Sequence, residues 1–209
     1  MIASKIAPHA RHRPKLRNVP DYLIYEIMDG KPIYYKGFRE IISGKKQIEE
    51  IMGSSKLQSY IVTYLTIKFG NFLDEDLFTI LSHEAGIHLD KSNNLAGDIL
   101  IFDNDVLKSE SIDEHYADVP PKIAIEVDVT ADTSEVGGVD GYIYKKVRKM
   151  LDFGIEKVIW INTFTKTILI ADNKKEAWLV ENWEKDVEVM EGLTINIPLM
   201  LARKKIVVK

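Results

Sequence analysis

The chain has 209 residues, a formal net charge of −4 and no cysteine. That length allows one generous domain with a real core, while the missing cysteines exclude disulfides, thiolate metal sites and a cysteine nucleophile. The acidic balance argues against a bulk, non-specific nucleic-acid binder, yet leaves room for an enzyme that uses a local basic patch and a divalent cation.

Residues 1–20 carry Arg11, Arg13, Lys15 and Arg17 between Pro8, Pro14 and Pro20. The prolines break any helix, so this segment reads as a basic arm ahead of a single domain over residues 21–209. It has no apolar core long enough for a signal peptide. No segment approaches the roughly 18–20 apolar residues that cross a bilayer, and a soluble, cytoplasmic protein without membrane contact is expected.

The stretch YLIYEIMDGKPIYYKGFREII predicts two strands around a turn at Asp29-Gly30. Next, Leu57, Ile61, Tyr64, Leu65 and Lys68 follow a helical period, with Ser54 or Ser55 placed to cap it. LFTILSH and AGIHLD read as strands, and GDILIFDND as a strand that begins at Asp98. PPKIAIEVDV alternates over residues 120–129: Ile123, Ile125, Val127 and Val129 on one face, Lys122, Ala124, Glu126 and Asp128 on the other. A helix, YIYKKVRKMLDFG, closes at Gly154. KVIWINTFTKTILIADN then gives two strands around a turn. Residues 121–171 thus predict a strand–helix–strand crossover with IAIEV and VIWIN as parallel neighbours. The whole is α/β, a mixed central sheet flanked by helices, with an N-terminal β-hairpin.

The alternation poses a physical problem. Two carboxylates side by side on one strand face repel unless a cation or proton lies between them, or the face opens to water. Asp98 on the preceding strand and Lys146 on the following helix complete a candidate site. An Asp and a Glu on adjacent strands can share one hard divalent cation, which activates water and polarises a phosphoryl oxygen, while a lysine offsets developing charge. Taken singly, Asp98, Asp128 and Lys146 have plainer explanations. Asp98 is then a turn or cap residue, Asp128 an edge-strand charge that blocks aggregation, and Lys146 part of a solvated helix face. Tyr142 and Lys149 lie on faces related to that of Lys146, which would let the same helix touch phosphate. His83 and His88, five apart, fall on opposite faces of a strand and do not make a helical zinc pair. MGSSK lacks the remaining pattern of a phosphate-binding loop. Trp160, Trp178 and Trp183 read as core or interface residues.

AGDILIFD, PPKIAIEVDV, KVRKMLDFGI and EKVIWIN, in that order and spacing, resemble the Uma-type restriction endonuclease family within the PD-(D/E)XK nuclease superfamily; YEIMDGKPI resembles that family's opening hairpin. The resemblance spans roughly residues 22 to 171. It implies a restriction-endonuclease-like fold and a metal-dependent DNA endonuclease. Asp98 and Glu126 would be its catalytic metal ligands, Asp128 a third ligand, Lys146 (or its neighbour Lys145) the catalytic lysine, and Mg²⁺ or Mn²⁺ the cofactor. The polar residue that such nucleases carry on their first helix would fall near Gln58. DNA is the implied partner, and a homodimer is implied because cutting two strands favours two sites. The sequence departs from the superfamily at Asp128, which stands where a lysine is usual. That departure keeps open an inactive nuclease fold serving as a nucleic-acid-binding or protein-interaction module.

Overall fold

The computed structural model describes residues 19–208; the expected basic arm lies, but for its last two residues, outside them. The Asp29-Gly30 signal forms its hairpin: β1 (Ile24–Met28) and β2 (Lys31–Tyr34) pair antiparallel. Asp29 and Gly30 take φ of 55° and 68°, the double left-handed turn whose twist matches that of a hairpin. A short helix, α1 (Phe38–Ile42), follows. The predicted amphipathic helix is α2 (Lys56–Gly70), and Ser55 caps it by accepting from Gln58 N at 3.1 Å. Its buried stripe is Gln58, Ile61, Leu65 and Phe69; each of the three apolar members contributes about 1.5–3 kcal/mol by burial.

LFTILSH and AGIHLD join into one long strand, β3 (Phe78–Asp90), which pairs antiparallel with β4 (Asn93–Asp103) along its length, interrupted by a bulge between Ser82 and Ala85. β4 begins five residues earlier than the sequence suggests, so Asp98 sits mid-strand. Asn93, Asn94 and Gly97 have loop-like propensity, but pairing with β3 overrides it.

β5 (Ile123–Val127), α3 (Gly138–Phe153) and β6 (Lys157–Asn162) are the expected crossover, with β5 and β6 parallel and Gly154 ending α3 at φ 117°. β7 (Thr167–Asp172) and β8 (Leu179–Asn182) extend the sheet antiparallel. β9 (Val187–Met190) and β10 (Leu193–Ile195) make a separate ribbon, and α4 (Ile197–Ala202) follows it.

The sheet order is β2-β1-β4-β5-β6-β7-β8, with β3 on the other edge of β4. Ile99, Ile101, Ile123, Ile125 and Val127 pack towards α2, α4 and the β9–β10 ribbon. Leu100, Phe102, Ala124, Val158 and Trp160 pack towards α3. β5 is therefore covered on both faces and buried at every residue. One feature of the pairing positions the site. β4 meets β1 at Ile27↔Asn94 and β5 only from Ile99 to Ile101. Between those contacts β1 and β5 diverge, and the polar residues collect at this fork.

Candidate functional site

The β4–β5 register pairs Ile99 with Ile125 and Leu100 with Ala124. Carried one step further, it sets Asp98 across from Glu126. Both side chains are inside, at 7% and 3% exposure. Asp98 Oδ2 accepts from Val127 N at 2.7 Å. Burial pushes the Asp98 carboxyl up to about 6, against the Val127 hydrogen bond, the Lys146 charge and a polar contact from Gln58. Burial pushes Glu126 further, to about 8, against the opposing pull of Lys146 and with added repulsion from Asp98 and Glu26.

Lys146 comes from α3 and is completely buried. Its Nζ lies 3.1 Å from Glu126 Oε1 and 2.7 Å from Glu26 Oε1. The rings of Trp160, Tyr25 and Tyr142 surround the ammonium at 5.5, 5.9 and 5.9 Å, within cation–π range. Burial alone would lower the lysine, but the Glu126 and Glu26 charges outweigh it and the net shift is upward. Both ion pairs are close yet off the hydrogen-bond directions, so Lys146 Nζ and Glu126 Oε1 are buried without an aligned partner. Lys145, its neighbour, is exposed.

Glu26 was not singled out from sequence. It is 3% exposed; its Oε1 accepts from Ala96 N at 3.0 Å and its Oε2 from Tyr142 OH at 2.6 Å. The carboxylate thus takes an amide that no strand reaches at the fork. A bulge between Ile24 and Glu26 re-aims this part of β1, and Tyr25 and Glu26 both reach Lys146. The available signal was a lone Glu inside IYEIM, an otherwise apolar and aromatic strand.

Asp128 lies elsewhere than the alternation suggests. β5 ends at Val127, and Asp128 turns into the left-handed region at φ 61°. Its carboxylate accepts from Thr163 N and Thr163 Oγ1, each at 2.7 Å, and its carbonyl accepts from Trp160 Nε1 at 2.9 Å. It staples the end of β5 to the β6–β7 turn, so it does not share a strand face with Glu126. Tyr142 is buried with its hydroxyl on Glu26, and Lys149 pairs with Asp29. The β3 bulge holds His83 and Glu84 at φ of 71° and 55°. It turns Glu84 towards the site, where burial raises its carboxyl and the Lys146 charge opposes the rise. His88 instead meets Asn94 at 2.6 Å.

Two open clefts flank the start of α2. One, of about 470 Å³, reaches Asp98, His83 and Glu84; the other, of about 820 Å³, reaches Gln58, Asp128 and Thr163. Among the described residues no group of three or more His, Asp or Glu side chains is arranged to hold a metal. The donor set that fits a cation is the hard-oxygen pair Asp98 and Glu126, whose Oε1 has the Lys146 ammonium beside it but no aligned hydrogen bond. Mg²⁺ suits such a pair, since it keeps waters and is commonly held by one or two carboxylates plus substrate phosphate.

This architecture is an α/β fold, a mixed sheet with flanking helices and an N-terminal hairpin. It is shared with a solved structure described as "a putative nuclease belonging to DUF820 from Anabaena variabilis", which matches at a TM-score of 0.62 over 85% of this chain and 89% of that one, with 15% identity. No protein-family model and no curated protein matches the chain. Among the described residues no helix is long and apolar enough to cross a membrane.

Proposed function

We propose that the chain is a metal-dependent DNA endonuclease of the PD-(D/E)XK type, hydrolysing phosphodiester bonds. The observation that carries this reading is the juxtaposition of Asp98 and Glu126 across adjacent strands, both buried, beside a buried Lys146. A protein keeps like charges in a dry site at a cost in stability, and catalytic sites are where such costs are found. The nuclease-like fold agrees with it.

Asp98 and Glu126 would hold Mg²⁺ or Mn²⁺, which would polarise a phosphoryl oxygen and make a bound water nucleophilic at neutral pH. The chain's own residues supply the rest. Lys146 places a fixed positive charge where the transition state gathers negative charge, at no reorganisation cost because the aromatic rings already hold it. Val127 N and Gln58 fix the Asp98 carboxylate. The cleft at Asp98 gives a phosphate backbone its approach. Asp128 enters as the staple of the neighbouring loop, outside the ligand pair. A homodimer would bring two such sites to two strands. The test is a calorimetric Mn²⁺ titration of wild type and Glu126→Gln: binding that the substitution removes is expected, and equal binding by both overturns the assignment of Glu126.

A further inference from the structure

We propose that Glu26 is a positioning residue that shares the Lys146 ammonium with Glu126 and so lets the Glu126 carboxylate turn to a divalent cation. This rests on the cation-dependent reading above and adds to it a residue on the N-terminal hairpin.

The geometry assigns the two carboxylates different roles. Glu26 is tied at both oxygens, to Ala96 N and to Tyr142 OH, and these donors fix it in place. Glu126 Oε1, by contrast, meets the Lys146 ammonium at 3.1 Å without an aligned hydrogen bond. Lys146 sits closer to the tethered Glu26 carboxylate, at 2.7 Å, than to Glu126, at 3.1 Å. Tyr142 contributes twice, since its hydroxyl fixes Glu26 and its ring faces the ammonium. Charge balance points the same way. With Glu26 beside it, Lys146 keeps a carboxylate partner when Asp98 and Glu126 give up their protons to a dication. Without Glu26, the buried ammonium has Glu126 as its nearest carboxylate, and lysine and cation compete for it. An uncompensated buried charge is costly enough to decide that competition.

The inference predicts that Glu26 acts through Lys146 and not as a remote charge, which a double-mutant cycle separates. Mn²⁺ affinity is measured by calorimetry for wild type, Glu26→Gln, Lys146→Met and the double variant, with circular dichroism to confirm that each is folded. In the wild-type background Glu26→Gln is expected to weaken Mn²⁺ about tenfold; in the Lys146→Met background the same change is expected to cost less than about twofold. Tyr142→Phe keeps every charge and guards against a variant that fails to fold; it is expected to weaken Mn²⁺ by about threefold through the released Glu26. An equal loss in both backgrounds, or no loss in either Glu26→Gln or Tyr142→Phe, overturns the inference while leaving the metal site standing. Absence of Mn²⁺ binding by folded wild type overturns the metal reading, and the inference falls with it.

Discussion

Glu26 and Glu126, one hundred residues apart on strands that diverge from β4, meet at the same Lys146 ammonium, 2.7 and 3.1 Å away. With Asp98 opposite Glu126, the fork holds three buried carboxylates and one cation.

The metal-free fold should lose stability as pH rises. Asp98 titrates near 6 and Glu126 near 8 in the folded protein, both above the ordinary carboxylate range. A raised folded value means the folded state holds its proton more tightly than the unfolded chain. The associated stability is present below about pH 4 and is lost as pH climbs through about 6 for Asp98 and about 8 for Glu126. Asp98→Asn should therefore stabilise the metal-free protein at neutral pH, by on the order of 1–3 kcal/mol. Urea denaturation at pH near 5 and near 8 checks this; a variant no more stable than wild type at the higher pH contradicts it.

Removing the lysine charge should have the opposite effect. Lys146→Met leaves the carboxylates without their cation, and breaking a buried pair from one side costs about 3–5 kcal/mol. Protonation of Glu126 relieves that cost, so the deficit should shrink towards pH 5. Denaturant unfolding across that range reads it directly, and a deficit independent of pH would argue that packing, not charge, is what the substitution removes.

A divalent cation should restore what the carboxylates cost. Mn²⁺ at about a hundred times its Kd would add about 2.7 kcal/mol, visible as a raised melting temperature. Because protons compete for Glu126 and Asp98, affinity should rise from pH 6 to pH 8. A melting temperature indifferent to Mn²⁺ at pH 8 is the contrary result.

Asp128 should separate stability from metal binding. Its carboxylate makes two hydrogen bonds to Thr163, and Asp128→Ala should cost about 1–3 kcal/mol through the lost charged acceptor and the left-handed backbone it occupies. Mn²⁺ affinity should stay within about twofold of wild type. A tenfold loss of affinity would return Asp128 to the ligand set.

What the sequence made legible followed from local rules. Asp29-Gly30 named its turn, Ser55 its cap, Gly154 its stop, and the Ile and Val alternation of β5 showed which face Glu126 takes. Those rules also brought Asp98, Glu126, Gln58 and Lys146 towards one place. The rest depended on backbone departures that carry little sequence signal. Asp128 leaves the alternation because one residue turns left-handed, which moves it from Glu126 to Thr163. Glu84 faces the site only because two non-glycine residues adopt positive φ in the β3 bulge. Glu26 joins the site only because β1 parts from β5 along β4, leaving Ala96 N for a side chain to satisfy.

The most direct test of the central claim is cleavage of supercoiled plasmid DNA by wild type and Glu126→Gln, each with Mg²⁺ or Mn²⁺ and again with chelator. Nicked or linear product from wild type is expected only with the divalent ion, reduced at least about a hundredfold in the variant. Intact plasmid after incubation with folded, Mn²⁺-bound wild type, or equal cleavage by both proteins, would contradict the account.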